Sequence, residues 1–203
     1  LNVSIGKNNF DEMRFDLYRD ETVMIEAFKS DAYDYRFERS SKNWATGYEN
    51  LPAREKGVIK LEEFPRKSTG VMQAFVPNLR REKFKDIRVR QALAYAFDFE
   101  TTNRNAFFSL YQRANSFYSG TELASSGLPS PEELALLEPL RGKIPHAIFS
   151  KPFVNPVGGD NARMRENFRE ALRLLKEAGW SLKGNRLLND KTGEPFTIDY
   201  IDY

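Results

Sequence analysis

The 203-residue sequence predicts an α/β fold, with a mixed β-sheet and flanking helices. Short segments in which apolar and polar residues alternate recur along the chain, as in half-buried strands. Between them lie stretches whose apolar residues repeat every three to four positions, as on one face of a helix. With 40% hydrophobic and 30% charged residues, the composition is that of a folded protein rather than a disordered one. The length suits one sizeable domain.

The predicted strands are short alternating or apolar segments bounded by turn residues. They are residues 13–18, 33–37, 58–64, 71–76 and 196–201. The first two flank a predicted helix, and so compact a strand–helix–strand unit predicts a right-handed βαβ crossover. A hairpin is expected at residues 180–188, where Gly184-Asn185 supplies a two-residue turn.

The predicted helices have a polar start and one apolar face. They cover residues 22–29, 87–98, 102–112 and 163–178. Asp86 is the expected N-cap of the second helix, because its carboxylate can accept hydrogen bonds from the first backbone N–H groups. The residues that share the apolar face of that helix are Val89, Leu93, Ala96 and Phe97. A shorter helix is expected after Ser130, which precedes a proline and two glutamates.

Charge and residue counts argue against several classes of function. The net charge is +2 and the basic residues are scattered, so the chain lacks the basic stripe expected of a nucleic-acid-binding protein. The absence of cysteine excludes disulfides and thiolate metal sites. His146 is the only histidine and has no metal-ligand cluster beside it in the sequence, so a surface loop position is predicted. No apolar run approaches the ~20 residues that span a membrane.

Familiar catalytic and cofactor motifs are also missing from the sequence. Neither a Gly-x-Ser-x-Gly elbow, a Walker A loop, a Gly-x-Gly-x-x-Gly turn nor a His-Glu-x-x-His pair is present. These absences argue against the familiar enzyme classes, and no cofactor is expected. A hydrolase built on two carboxylates remains the alternative, because such pairs can be distant in the chain and leave no local motif.

One stretch resembles a known family. Its residues are Asn78, Phe84, Asp86, the run Arg88-Val89-Arg90-Gln91-Ala92-Leu93, and Ala96-Phe97-Asp98. This pattern is similar to the signature of the extracellular solute-binding proteins of family 5, the oligopeptide, dipeptide and nickel receptors of bacterial ABC importers. Lys83 stands where the family usually has proline. Residues 171–180 (ALRLLKEAGW) resemble a family helix, and residues 40–49 and 127–145 resemble the subgroup for microcin C and small peptides.

The resemblance implies a fold, a function and a location. Residues 1–203 would be most of the C-terminal lobe of a type II (cluster C) periplasmic binding protein, one domain within a longer chain. The expected ligands are short peptides or peptide-like compounds, with an oligosaccharide or a metal chelate as the open alternative. The expected partner is the membrane permease of an ABC importer. The protein would be a monomer that binds no nucleic acid, in the periplasm or lipid-anchored outside the cytoplasmic membrane.

Asn43 and Trp44 are the first candidate ligand-binding residues. They follow the second predicted strand, and open α/β sheets bind ligands beyond the carboxyl ends of their strands. The resemblance also implies that this end faces the ligand cleft. The alternative is that Ser41 or Asn43 caps a helix and that Trp44 belongs to the core.

The remaining candidates are Gln73 and the loop residues Ser116, Phe117, Tyr118 and Ser119. Gln73 is the one polar residue of an apolar run, so its amide is expected either to bond to neighbouring backbone or to face a ligand. The resemblance implies that the loop runs along the cleft, where exposed aromatic and hydroxyl side chains bind ligands. Alternatively, Phe117 and Tyr118 attach the loop to the core.

Overall fold

A computed structural model describes residues 5–7, 9–64 and 72–201. The chain forms two compact units, Leu1–Glu62 and Glu63–Tyr203, each of which is described by itself. The helices are α1 (Glu21–Lys29), a π-helix (Asn43–Gly47), α2 (Pro52–Glu55), α3 (Glu82–Lys85), α4 (Ile87–Ala96), α5 (Phe99–Ala106), α6 (Pro131–Leu137), a 3₁₀ turn (Glu138–Leu140), α7 (Ala147–Ser150) and α8 (Asn161–Glu177). The strands in the described residues are β1 (Trp180–Lys183) and β2 (Arg186–Asn189).

The first unit is organised around α1. Asp20 begins this helix, because its carboxylate accepts a hydrogen bond from the Val23 N–H at 3.0 Å. Ile25 is the buried residue of the helix. The Phe28 ring contacts those of Tyr33 and Tyr48, with centroids 5.4 and 6.2 Å apart. These aromatic contacts join α1 to the segments that follow it.

The core of the second unit lies between α4 and α8. Its buried residues are Phe84, Val89, Ala92, Ala171, Leu174, Leu175 and Trp180. Val89 is fully buried, and the Trp180 and Phe196 rings meet edge to face with centroids 4.8 Å apart. The hydrophobic effect therefore stabilises this unit mainly by helix–helix packing, closed at one end by aromatic rings.

The hairpin is confirmed. β1 and β2 are antiparallel, with Trp180 opposite Asn189 and Lys183 opposite Arg186. The turn residue Gly184 has a φ of +62°, a left-handed conformation that costs glycine little. Beyond β2, the Phe196 N–H donates to the Leu187 carbonyl at 2.8 Å, which brings the Phe196 ring to the core.

Three of the four predicted helices are confirmed to within two residues at each end, as α1, α4 and α8. The predicted cap of α4 is also confirmed, because Asp86 accepts a hydrogen bond from the Arg88 N–H at 2.8 Å. The apolar face differs in part from the prediction. Val89 is buried and Leu93 packs against the core, but Ala96 and Phe97 are exposed and Ala92 is buried instead.

The helix predicted at residues 102–112 is wrong in its bounds. Asp98 accepts a hydrogen bond from the Thr101 N–H, so α5 begins three residues earlier than expected. The side chain of Asn103 binds both backbone groups of Tyr111, accepting from its N–H at 3.1 Å and donating to its carbonyl at 2.7 Å. This pairing requires the chain to fold back after Ala106, through left-handed conformations at Phe108 and Ser109.

The larger mixed sheet is not present in the part of the chain that the structure describes. Residues 13–18, 33–37, 58–64 and 196–201 are not strands, and neither is the described part, 72–76, of the segment predicted at 71–76. The βαβ unit is therefore absent as a set of paired strands. Apolar side chains of these segments are exposed, among them Leu17 at 96% and Val76 at 87%. A strand needs a neighbour to accept and donate its backbone hydrogen bonds, and the described residues do not supply one here.

The start of α8 is held by two carboxylates of the α5 region. The Gly158 N–H donates to Glu100 Oε2 at 2.7 Å, and the Gly159 N–H donates to Asp98 Oδ1 at 2.9 Å. Asp160 then caps α8 by accepting a hydrogen bond from the Arg163 N–H at 2.9 Å. Burial alone would raise the pKa of Asp98, but hydrogen bonds from Thr101 and Gly159 outweigh it and lower that pKa.

Replacing Gly158 with alanine is expected to lower the free energy of unfolding of the second unit by about 1–3 kcal/mol. A Cβ atom there would lie 2.6 Å from Asp98 Oδ1 and 2.7 Å from Met164 Sδ, so these groups would have to move. Urea unfolding followed by circular dichroism measures the loss. Glu166→Ala, on the exposed face of α8, is the matched control and should change stability by less than about 0.5 kcal/mol. Equal losses of unfolding free energy in the two variants would contradict the close approach of Asp98 and Met164 to Gly158.

Candidate functional site

Asn43 and Trp44 lie together at the start of the π-helix, and both are half-buried. The alternative that Ser41 or Asn43 caps this helix is wrong, because the residue before the helix is Lys42 and no side chain forms a cap there. Ser40 Oγ accepts a hydrogen bond from the Asn43 N–H at 3.2 Å, and the Ser40 carbonyl accepts one from the Trp44 N–H at 2.9 Å. The Asn43 side chain is therefore not used as a cap.

A buried charge network fixes the backbone in front of this helix. The Glu38 carboxylate accepts hydrogen bonds from Arg36 Nε at 3.1 Å and from the Tyr48 hydroxyl at 2.9 Å. It also accepts the backbone N–H groups of Arg39 and Ser40, at 3.0 and 2.9 Å. The side chains of Arg36 and Glu38 are only 4% and 5% exposed. No pattern in the sequence indicates this set of contacts, which we call the Glu38 network.

The Glu38 network sets the ionisation of its members. Burial alone would raise the pKa of Glu38, but hydrogen bonds from Arg36, the Ser40 N–H and the Tyr48 hydroxyl outweigh it, so that pKa is lowered. Burial, together with the hydrogen bond to Glu38, raises the pKa of Tyr48 to about 12. At neutral pH Glu38 is therefore ionised and Tyr48 is protonated. With these protonation states the hydrogen bonds of Glu38 are kept, and they fix the backbone that precedes the π-helix.

A hollow of about 440 Å³, open to solvent, is lined by residues of α1 and of the segment 40–47. We call it the α1 hollow. Asn43, Ser40 and Thr22 are among its polar lining residues. Ile25 and Gly47 mark where the two segments touch, since a Cβ atom on Gly47 would lie 3.2 Å from Ile25 Cδ1. The structure thus places one predicted site residue, Asn43, at a concave surface.

The other predicted loop lies in the second unit and closes on itself. Ser116 Oγ accepts a hydrogen bond from the Ser125 N–H at 3.1 Å, and the Ser119 N–H donates to the Ser116 carbonyl at 3.2 Å. Phe117 and Tyr118 are 77% and 53% exposed. The alternative that these two rings attach the loop to the core is therefore wrong, and both rings face solvent.

Asn155 fixes the base of this loop. Its Nδ2 donates to the Ala114 carbonyl at 2.8 Å, and its N–H donates to Asn115 Oδ1 at 3.0 Å. The loop therefore presents two exposed rings on a fixed base. Exposed rings on a fixed base suit ligand stacking, because little conformational entropy is lost when a ligand binds.

Gln73 lies apart from that loop in sequence, in the segment 72–78, which is neither helix nor strand, and its side chain is exposed. The expectation of a buried amide is wrong, because the neighbouring apolar side chains are themselves largely uncovered. Phe75 is 69% exposed and contacts the rings of Phe97 and Tyr200, with centroids 6.0 and 5.8 Å apart. A role for Gln73 in ligand contact stays a prediction.

Among the described residues, no group of three or more His, Asp or Glu side chains is placed to hold a metal ion. His146 is exposed just before α7, as predicted for a surface residue. No helix in this part of the chain is both long and apolar enough to cross a bilayer.

The chain matches, over residues 4–202, the family described as bacterial extracellular solute-binding proteins, family 5 Middle. It belongs to this family, and the resemblance found in the sequence is confirmed. It is 47% identical over 203 residues to the "Probable peptide-binding protein YejA" of Agrobacterium fabrum, covering 99% of this chain and 33% of that protein.

Two further relatives extend the comparison. The "Uncharacterized protein YejA" of Escherichia coli K12 is 38% identical over 201 residues, covering 99% of this chain and 33% of that protein. The "Peptidoglycan-binding protein YepA" of Agrobacterium fabrum is 32% identical over 206 residues, covering 97% of this chain and 33% of that protein. The chain thus spans about a third of the length of these relatives.

Proposed function

We propose that the protein containing this chain is the substrate-binding component of a bacterial ABC importer and captures short peptides or peptide-like compounds. Family membership over residues 4–202 carries the proposal. The peptide class is supported by the name of the relative that is 47% identical, "Probable peptide-binding protein YejA". The protein would hold its ligand without performing chemistry on it and would use no cofactor.

We further propose that residues 1–203 form most of the C-terminal lobe of a two-lobe protein of the type II (cluster C) periplasmic kind. The chain matches about a third of each relative, which supports its being part of a larger protein and only one of its lobes. Segments 13–18 and 72–76 support it too, because their exposed apolar residues are suited to pairing with further strands. The protein would act as a monomer outside the cytoplasmic membrane, in the periplasm or on a lipid anchor, and deliver its ligand to a membrane permease. Nucleic acid would not be a partner.

The candidate side chains fit the chemistry of a peptide. A peptide backbone carries repeated N–H and C=O groups, which amide and hydroxyl side chains such as those of Asn43, Gln73 and Ser116 can match. Its variable side chains need apolar or aromatic surface. The exposed rings of Phe117 and Tyr118 supply such surface, and half-buried Trp44 would add to it.

A second class of ligand has one observation in its favour. The relative that is 32% identical is named "Peptidoglycan-binding protein YepA". A fragment of peptidoglycan joins a short peptide to a sugar, so it would combine the two ligand types considered from the sequence. Such a fragment therefore belongs in any ligand screen, beside plain peptides.

Isothermal titration calorimetry of the full-length protein with a pool of short peptides tests the proposal. Binding is expected, and Phe117→Ala should weaken it about tenfold, since exposed aromatic residues often carry much of a binding energy. Phe10→Ala is the matched control because Phe10 is also 77% exposed, and it should leave affinity unchanged. Binding of sugars or metal chelates but not peptides would refute the ligand class. Turnover of the peptides would refute a pure binding role.

A further inference from the structure

We propose that the α1 hollow binds the carboxylate end of a peptide-like ligand, with Lys42 as the counter-charge and Asn43 as the partner of the adjoining amide. This proposal rests on the proposed function for the source of the ligand. Nothing in the family match or in the names of the relatives assigns a role to this hollow.

One cation at the α1 hollow is available to an anionic ligand. Two glutamates line it: Glu26 pairs with Lys29 at 2.8 Å, and Glu21 shares Arg36, at 3.0 Å, with Glu38. Lys42 also lines the hollow and forms no ion pair with any described residue. Lys42 is therefore the lining cation that no described carboxylate holds, and a ligand carboxylate would complement it.

The polar groups of the hollow match an amide next to that carboxylate. Asn43 is half-buried, and its side-chain amide makes no hydrogen bond to the described part of the chain. A primary amide offers both a donor and an acceptor, so it can pair with the C=O and the N–H of a peptide group. Ser40 Oγ accepts from the Asn43 N–H, which leaves its own hydrogen to donate.

The dimensions of the hollow fit a small unit. Its volume of about 440 Å³ lies in the range of small-molecule pockets. Gly47 keeps the space open, since a Cβ atom there would lie within 3.4 Å of Asn43 Cβ and 3.2 Å of Ile25 Cδ1. The Glu38 network fixes Ser40, so the polar wall is pre-organised for binding.

An NMR titration of the ¹⁵N-labelled chain with N-acetylglycine tests the hollow directly. N-acetylglycinamide is the matched ligand, because it differs only in the carboxylate. N-acetylglycine is expected to shift amide signals of residues 21–29 and 40–47 and to bind about fivefold more tightly than the amide, as one exposed charge pair allows. Lys42→Gln should abolish that difference. Lys56→Gln, which removes an exposed lysine of the same unit, should retain it.

Asn43→Ala tests the second part of the proposal, since it should lower the affinity for N-acetylglycine and for N-acetylglycinamide by a similar factor. Shifts confined to other residues, or a carboxylate preference that survives Lys42→Gln, would overturn the proposal. Calorimetry of the full-length protein separates this outcome from failure of the proposed function. If that protein binds peptides and its preference for a free over an amidated C-terminus is unchanged by Lys42→Gln, the hollow assignment is wrong while the function stands. If it binds no peptide, the proposed function fails and the titration still decides the hollow.

Discussion

Replacing Trp180 with alanine is expected to lower the free energy of unfolding of the second unit by about 3–5 kcal/mol, the usual range for truncating a buried tryptophan. Trp180 is 8% exposed and belongs to the core between α4 and α8. It also meets Phe196 edge to face, with centroids 4.8 Å apart. Truncation would remove this contact and leave a cavity under the hairpin.

Urea unfolding followed by far-ultraviolet circular dichroism measures that loss without depending on tryptophan fluorescence. Trp180→Phe should cost much less, because a ring still fills most of the site. Leu182→Ala is the control on the same strand, since Leu182 is 57% exposed and its truncation should have little effect. A loss under about 1 kcal/mol for Trp180→Ala would show that the hairpin does not close the core.

Replacing Glu38 with glutamine is expected to destabilise the first unit by about 3–5 kcal/mol, because it leaves the buried charge of Arg36 without its partner. Glutamine keeps the shape of the side chain, so the effect reports charge and hydrogen bonding rather than volume. Among the described residues, the carboxylate left to Arg36 would be that of Glu21, whose side chain is 55% exposed. Glu49→Gln is the matched control because Glu49 is exposed in the same unit.

The same residue gives the first unit a defined dependence on pH. The folded pKa of Glu38 lies below its ordinary value of 4.5, so its contribution to stability is present above pH 4.5 and is lost as the pH falls through the lowered pKa. Fluorescence of Trp44 in a Trp180→Phe background follows the unfolding of the first unit alone. The acid-induced loss should be smaller in Glu38→Gln than in the parent. Parallel pH profiles for the two proteins would contradict the role assigned to Glu38.

The helices could be predicted because their signals lie within the segments that form them. Asp20 and Asp86 cap α1 and α4, and each helix carries its apolar face in its own residues. α5 was mispredicted because its end depends on Asn103 binding the backbone of Tyr111, eight residues away. Among the described residues, the predicted strands that form are those of the hairpin, which its two-residue turn indicated and in which the partner strand follows directly in the chain.

In the candidate site, too, features set by neighbouring residues could be predicted, and features set by residues farther along the chain could not. Asn43 was predicted from its place after an alternating segment, and it does line a hollow. Arg36 and Glu38 were not singled out, because charged residues in an alternating segment are normally solvent-exposed. Their burial depends on Tyr48, ten residues beyond Glu38, closing over the pair with its hydroxyl 2.9 Å from the carboxylate. No pattern in the sequence reports that contact.

The uncovered apolar segments bear on how the chain behaves at high concentration. An unpaired segment with exposed apolar side chains can form a strand with the same segment of another molecule, which leads to aggregation. Residues 13–18 also contain charges that oppose such pairing. Arg14 and Asp16 alternate with Phe15 and Leu17 and form an ion pair at 3.0 Å. Charges at such positions act as gatekeepers, since a second copy that paired with this segment would have to desolvate them. Solubility of the chain thus depends on the same alternation that predicted a strand.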